Sequence, residues 1–304
     1  MADTLLKFLF RDAPVRGEIV RLQESWQQMV ANHRYPAPVA RLLGEMTAAA
    51  ALLAANIKFD GALILQIQGN GPVRLLVVEV QPQMRLRATA KLRETAVIEA
   101  QATLQQLTNP NGEARCAITL DPTGRRPGQQ PYQGVVPLAG ESIAQVLENY
   151  LRQSEQVESR LWLAADEIAA AGVLLQKLPQ EGGGAASKPD VDAWDRVGAL
   201  TATLARDELL ALEPEALARR LYWQENLQHF EPVAPRFECN CSRERSGRML
   251  LALGRAEVDS ILAERGDVEI TCDFCNARYG FDAVDVGQLF ASGATREADA
   301  STRH

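Results

Sequence analysis

The sequence of 304 residues predicts an α+β protein in several parts, and three observations support this fold class. Strand and helix patterns over 1–178 occur in groups, without the regular alternation that produces a parallel sheet. A glycine-rich joint at 182–187 is followed by short amphipathic helices. Four of the five cysteines lie close together near the C-terminus. We therefore expect an N-terminal mixed sheet-and-helix core domain (1–178), a helical linker (179–231), a small cysteine module (232–287) and a flexible tail (288–304).

Within the core domain, alternating apolar residues and turn signals predict nine strands, and helical spacing predicts three helices. The alanine-rich helix that begins near Pro36 is expected to pack closely against a sheet rather than to span a membrane. Gly69-Asn70-Gly71-Pro72 predicts a hairpin turn, and it lacks the third glycine of a dinucleotide-binding fingerprint. The predicted strands are 4–10, 14–22, 62–68, 73–80, 84–90, 115–121, 132–138, 160–165 and 168–177, and the predicted helices are 23–33, 36–56 and 142–154.

Two features of the core domain are assigned structural rather than chemical roles. Cys116 alternates with Ile118 and Leu120 on a predicted strand, so we expect a buried, inert thiol. The segment Pro122–Pro131 is rich in Gly, Pro, Arg and Gln and predicts a solvated loop, with a contact role for Arg125 and Arg126 as the alternative.

The linker is expected to contain short helices over 190–223, because Gly198 and Pro214 interrupt the helical pattern. Helices this short are marginal in water without a docking partner. The segment is either a plain connector or a metastable element that docks on the core domain and exposes apolar surface when it undocks. Such an exposed surface would bind other apolar surfaces, and its candidate residues are Trp194, Val197, Leu204, Leu221 and Trp223.

The cysteines form a C-x-C pair, Cys239 and Cys241, and a C-x-x-C pair, Cys272 and Cys275, with thirty residues between the pairs. Two close pairs at this separation are typical of a tetrahedral zinc site. Four thiolates leave no open coordination position, so we expect one structural Zn²⁺ rather than a catalytic ion.

The module that carries these cysteines is small, about 56 residues, and a domain of this size is marginal without a crosslink. Ser242 is predicted to cap a helix that ends at Gly254, and a second helix over 257–265 is predicted to end at Gly266. Because the apolar residues of its expected core are few, we expect zinc to be required for folding. These residues are Leu250, Leu253, Val258, Ile261, Leu262, Ile270, Phe274 and Phe281.

Charge and targeting signals exclude several classes of function. The cysteine module has ten acidic and seven basic side chains, whereas nucleic-acid binding needs a basic surface. The apolar run at residues 5–10 is short and contains Lys7, which is unlike a signal peptide. We therefore expect a cytoplasmic protein with no nucleic-acid or membrane partner, in which clustered thiols serve metal or redox chemistry rather than structural disulfides.

The stretch from Phe237 to Phe281 is similar to the zinc-binding module of the 33 kDa heat shock protein family, the redox-regulated bacterial chaperonins. It has both cysteine pairs and the aromatic pair Tyr279 and Phe281. The resemblance covers nearly the whole chain. Further matching stretches are Leu42–Glu45, Gln68–Val73, Tyr132–Val136, Ser154–Gln156 and Gly172–Pro179.

The resemblance implies a chaperone that captures unfolding client proteins without ATP, and not an enzyme. It implies a protein that is inactive when reduced and zinc-bound, and active, as a homodimer, when oxidised. Oxidation would form disulfides within each cysteine pair and release the zinc. A C-x-C disulfide closes a smaller and more strained ring, so we expect Cys272–Cys275 to form before Cys239–Cys241.

Three other interpretations stay open at this point. The zinc module can be purely structural, on an unrelated binding protein. A thiol–disulfide oxidoreductase is possible in principle, but its C-x-x-C should open a helix in a βαβ unit. Histidine catalysis has little support, since His33, His229 and His304 are the only histidines; His229 is a possible additional metal ligand.

Overall fold

The computed structural model describes residues 2–57, 59–94, 96–124, 130–179 and 192–291. Two compact units are present, Met1–Glu238 and Cys239–His304. The predicted boundaries at 178 and 231 stay predictions. The glycine-rich joint at 182–187, the loop arginines Arg125 and Arg126, and His304 lie outside the described residues.

The N-terminal unit contains two sheets, which confirms the predicted α+β class. Within both sheets all strand pairs are antiparallel except β11 with β5. The five-stranded sheet has the order β10 (Leu227–His229), β1 (Thr4–Phe10), β2 (Val15–Leu22), β9 (Ala170–Lys177) and β8 (Ser159–Ala165). The six-stranded sheet has the order β11 (Arg236–Phe237), β5 (Arg85–Leu92), β4 (Val73–Gln81), β3 (Gly61–Gln68), β6 (Arg115–Pro122) and β7 (Tyr132–Pro137).

One helix, α2 (Ala37–Asn56), contacts strands of both sheets. The four alanines at 48–51 are fully buried, which lets the helix backbone approach the sheets closely. The helix has the length and composition to cross a membrane, but 72% of its apolar window is buried inside the protein, as in a core helix. The other helices before the linker are α1 (Glu24–Val30), α3 (Leu104–Thr108) and α4 (Ile143–Ser154).

The five-stranded sheet is covered on both faces, because side chains alternate along its strands. On β2, Val20 and Leu22 face the α2 side, whereas Val15 and Ile19 face the opposite side. The opposite side packs against the linker helices. These are α5 (Ala193–Ala202), α6 (Arg206–Ala211) and α7 (Pro214–Tyr222).

The C-terminal unit has a small core around Leu250, Val258, Val268, Phe281 and Val286. Both predicted helix ends are correct. The Ser242 hydroxyl accepts a hydrogen bond from the backbone N–H of Arg245, and Gly266 adopts a left-handed φ of 83°. The elements are α8 (Arg243–Leu253), α9 (Arg255–Arg265), β12 (Val268–Thr271) and β13 (Arg278–Phe281), followed by helical residues at 283–291.

Two expectations about this unit need correction. Leu253, predicted to belong to the core, is 52% exposed, because it lies in the last turn of α8 beside Gly254. The chain beyond 287 is not loose throughout, since Leu289 and Phe290 pack against the core.

Glu18 is a buried acid on the α2 side of β2, with 2% of its surface exposed. Its Oε2 atom has no hydrogen-bond partner. Burial raises the pKa of Glu18 from 4.5 to about 7, although Asn56, Arg16 and Lys7 act to lower it. The native state therefore holds this proton more tightly than the unfolded chain does.

We predict that Glu18→Gln removes a pH dependence of stability. Below about pH 4.5 Glu18 is protonated in both the folded and the unfolded state, so it does not lower the free energy of unfolding. As the pH rises to 7, the free energy of unfolding of the parent should fall by about 3 kcal/mol relative to that of the variant. Urea unfolding at pH 5 and pH 8, followed by tryptophan fluorescence, measures this difference. Glu99→Gln, at an exposed position, is the matched control; an equal change in both variants would contradict the prediction.

Candidate metal centre

The two cysteine pairs lie at the ends of rigid elements in the C-terminal unit. Cys239 and Cys241 directly precede α8, whose N-terminus is fixed by Ser242. Cys272 and Cys275 lie in the turn between β12 and β13, which are paired in antiparallel register. The backbone N–H of Cys272 donates to the carbonyl of Ala277 at 2.8 Å, which closes this turn.

All four sulfur atoms lie within 4.8 Å of one another. Two close contacts run between the pairs: Cys239 Sγ to Cys272 Sγ is 3.6 Å, and Cys241 Sγ to Cys275 Sγ is 3.3 Å. A tetrahedron of sulfurs about 2.3 Å from a central zinc has edges of about 3.8 Å. The cluster therefore has the size and donor set of a four-thiolate metal site and can bind a metal ion.

A tyrosine hydroxyl supports one of the sulfurs. Tyr279 Oη donates a hydrogen bond to Cys241 Sγ at 3.1 Å. Although burial acts to raise the pKa of Cys241, hydrogen bonds from Tyr279 and the neighbouring thiols leave it below its usual value. Burial raises the pKa of Cys275 and of Cys239. In the absence of metal, the negative charge of the cluster is thus favoured at Cys241.

Arg243, the first residue of α8, contacts β13 and the residues that follow it. Its guanidinium donates to the carbonyl of Gly280 at 2.6 Å and to Asp285 Oδ2 at 2.7 Å. It also lies over the ring of Phe281, 4.4 Å from the centroid. These contacts join α8, which follows the first cysteine pair, to β13, which follows the second, and to the helical residues beyond it.

The position of Cys272 and Cys275 differs from that in a thiol–disulfide oxidoreductase. In those enzymes the C-x-x-C opens a helix, whose N-terminus stabilises the thiolate. Here the pair lies in a turn between two strands, and its sulfurs face the other cysteine pair. This geometry favours metal binding over catalysis of disulfide exchange.

The remaining cysteine and the described histidines are not part of the cluster. Cys116 is buried on β6, and burial raises its pKa to about 12, so the inert thiol expected from the sequence is confirmed. His229 lies on β10 in the N-terminal unit, with its ring beside Phe8. His33 stacks on Tyr35.

The predicted client-binding residues occupy different environments in the docked linker. Val197 and Leu221 are buried against the five-stranded sheet, and Trp194 and Leu204 are partly buried at its edge. Trp223, directly after α7, is 74% exposed. The structure therefore brings four of the five into one interface and leaves Trp223 in solvent.

Sequence patterns did not predict two polar contacts that matter for this arrangement. One is the Tyr279 hydrogen bond to Cys241; only the position of Tyr279 close after the C-x-x-C pair gives any indication of it. The other is Arg21, which is buried between β2 and the linker and donates to the carbonyl of Leu210 at 2.7 Å. A single arginine within an apolar strand pattern gives no information about which segment covers it.

Fold and site together define an α+β protein with a C-terminal four-cysteine module that can bind a metal. The family model of the Hsp33 protein matches residues 3–282. The chain belongs to this family.

Relatives named 33 kDa chaperonin match over essentially the whole chain. The one from Ectopseudomonas mendocina is 48% identical over 307 residues, with 100% of each chain covered. The one from Methylobacillus flagellatus is 45% identical over 293 residues, with 96% of each covered. The crystal structure of the 33 kDa chaperonin from Thermotoga maritima matches with a TM-score of 0.77 at 21% identity, covering 96% of this chain and 99% of that one, which supports the fold.

We predict that Tyr279→Phe weakens metal binding about tenfold, because hydrogen bonds to ligand atoms typically contribute this much to affinity. Competition with a chromogenic chelator measures the change. Tyr132→Phe, which removes a tyrosine hydroxyl from the other unit, is the control. Unchanged affinity in Tyr279→Phe would show that the hydrogen bond does not support the bound state.

Proposed function

We propose that this protein is a redox-regulated, ATP-independent holdase that binds unfolding proteins, in the cytoplasm, under oxidative stress. The observation that carries the proposal is the convergence of four cysteine sulfurs within 4.8 Å. Membership of a family whose relatives are named chaperonins supports the general function. The regulation is inferred from thiol chemistry and from the way the linker is packed.

The thiol chemistry requires Cys239, Cys241, Cys272 and Cys275 as ligands of one Zn²⁺. Zinc, when bound, would keep all four sulfurs deprotonated and complete a closed tetrahedral site. Two thiolates can then reduce hydrogen peroxide: they form one disulfide, and the peroxide takes two electrons and two protons to give two waters. Each disulfide removes two ligands. We propose that Cys272–Cys275 forms first and Cys239–Cys241 second.

Metal release should unfold the C-terminal unit, because its own core is small. Only five apolar residues, around Val258, are buried there among the described residues. A structural zinc site contributes on the order of 10–16 kcal/mol, which is comparable to or greater than the whole stability of a typical domain. The metal-free, disulfide-bonded unit therefore lacks enough interactions to remain folded.

The linker supplies the apolar surface in this proposal. α5, α6 and α7 are six to ten residues long and pack on one face of the five-stranded sheet. Tyr222 contacts the rings of Phe8 and Phe10, with centroid distances of 5.6 and 5.1 Å. Undocking would expose two apolar surfaces, the inner face of the linker and the sheet face beneath it, and such surfaces bind other apolar segments.

The chain between α7 and the first cysteine is held by short strand pairings. It pairs with β1 through the three residues of β10 and through an isolated bridge between Val233 and Leu5, and with β5 through the two residues of β11. Glu238 directly precedes Cys239, and its Oε1 lies 2.9 Å from Arg85 Nη1. Unfolding of the C-terminal unit would leave these short pairings without support on one side. We propose that this is how oxidation reaches the linker, with a homodimer as the active form.

The proposal predicts that peroxide at mildly elevated temperature releases one zinc per chain and raises the suppression of client aggregation in parallel. Zinc release, free thiols and the light scattering of a heat-unfolding enzyme are measured across one oxidant series, and mass spectrometry maps the disulfides. Cys272→Ser should lower zinc content and raise activity without oxidant. Zinc release with no gain in activity would indicate that the module has a purely structural role. Rapid insulin reduction would favour an oxidoreductase.

Arg21 provides a test of the linker that does not involve the thiols. Arg21 is 5% exposed, and its Nε donates to the Leu210 carbonyl at 2.7 Å. Its Nη1 lies 3.4 Å from Glu213 Oε1. Leu210 and Glu213 both belong to the linker. Hydrogen bonds from a charged group contribute about 1.5–3 kcal/mol.

We predict that Arg21→Ala raises the undocked fraction about tenfold or more and gives holdase activity without oxidant. Limited proteolysis of the linker and aggregation suppression of the reduced, zinc-loaded protein measure the effect. The control is Arg74→Ala, an exposed arginine on β4. Protease resistance equal to that of the control would rule out Arg21 as a contact that holds the linker.

A further inference from the structure

A cavity of about 280 Å³ lies in the N-terminal unit at the C-terminal end of α2, and the thiol chemistry makes no use of it. It is bounded by α2, α4 and strands of both sheets. Most of its wall is aliphatic, formed by residues that include Leu53, Leu63, Ile118, Leu120, Leu151 and Leu174.

Three of the stretches that carry the family resemblance meet at this cavity. Tyr132 comes from the stretch Tyr132–Val136, Glu155 from Ser154–Gln156 and Gln176 from Gly172–Pro179. The hydroxyl of Tyr150 donates to Glu155 at 3.0 Å, and the ring of Tyr150 lies against the backbone of Gly134, where a side chain would collide with it. These residues form an ordered polar rim at one side of the aliphatic wall.

Arg16 lines the cavity and makes no ion pair in the described part of the chain, although it is near enough to Glu18 to lower the pKa of that acid. Its strand pairs it with Gln176, and its Nε donates to Gln176 Oε1 at 2.8 Å. No carboxylate of the described residues lies within ion-pair distance of it, although the guanidinium has five N–H donors. Charge-assisted bonds to a carboxylate are the strongest contacts that such a group makes.

A second donor points to the same ligand. Asn56, the last residue of α2, lines the cavity; its buried Nδ2 makes no hydrogen bond of normal length, and Glu18, whose pKa Asn56 acts to lower, is the acceptor near it. A buried amide donor left unpaired costs about 1–3 kcal/mol, so an acceptor at this position would be stabilising. Lys7, Arg16 and Glu18 line a smaller adjoining cavity with Asn56, so two cations face one buried acid there.

We propose that this cavity binds a medium-chain monocarboxylate, such as a fatty acid, with its carboxylate at Arg16 and Asn56 and its chain along the aliphatic wall. The wall offers few partners for a peptide backbone, whose N–H and C=O groups must be hydrogen-bonded when buried. An alkyl chain has no such requirement. The assignment is independent of the holdase function and of the metal.

The test is isothermal titration calorimetry of the reduced, zinc-loaded full chain with decanoate below its micellar concentration. We expect one decanoate per chain and binding of 1-decanol at least tenfold weaker. Arg16→Met should weaken decanoate binding about tenfold or more and leave decanol binding unchanged. Arg74→Met, at an exposed strand position, should bind as the parent does.

Leu120→Trp, which fills the cavity but keeps Arg16, should abolish binding of both ligands. It keeps the test decisive if Arg16→Met is poorly folded. The proposal is overturned if decanoate does not bind, if decanol binds as tightly, or if several decanoates bind per chain and Leu120→Trp has no effect. Binding of a peptide that ends in Leu-Leu, in place of decanoate, would also overturn it.

Discussion

The meeting of four sulfurs from two distant parts of the chain is the constraint on which the C-terminal unit depends. Cys239 and Cys241 precede a helix, and Cys272 and Cys275 lie in a strand turn, so the cluster closes a loop of thirty intervening residues. Among the described residues, the core beside it has five buried apolar residues, far fewer than the N-terminal unit has. Arg243 adds polar contacts, but exposed ion pairs contribute little. Under the proposed mechanism, the fold of this unit and its chemistry rest on the same four atoms, so a change in their oxidation state would also change the stability of the fold.

The five-stranded sheet separates what is permanently buried from what is buried only while the linker is docked. On β2, Val20 and Leu22 join the large core around α2, whereas Ile19 and Arg21 face the linker. A buried arginine is costly unless its hydrogen bonds are made, and two of its partners belong to the linker. The linker interface is thus held partly by polar contacts that water can replace, whereas the α2 side belongs to the larger core of the unit. Under the proposed mechanism, undocking would therefore be confined to the linker face of the sheet.

The sequence was informative where the determinants are local. The hairpin at Gly69–Pro72, the cap at Ser242 and the left-handed Gly266 follow from the residues themselves, and the structure agrees. Strands β10 and β11, three and two residues long, have no pattern of their own and form only because β1 and β5 have free edges. The cysteine spacing predicted the cluster, but not the inter-pair contacts of Cys239 with Cys272 and of Cys241 with Cys275. The cavity beside Arg16 could not be predicted, since its wall combines residues from 16 to 176.

Placing the reactive thiols and the apolar surface in separate segments has a consequence for how the two are controlled. Disulfide formation acts on the C-terminal unit, but it leaves unchanged the contacts of Tyr222 with Phe8 and Phe10. Those contacts must still be broken, and the short linker helices give way more readily as the temperature rises. Under the proposed mechanism, oxidation removes the support at one end of the linker and heat completes the undocking. Neither stress alone acts on both segments, so the exposed surface would appear mainly when oxidant and heat unfold other proteins at the same time.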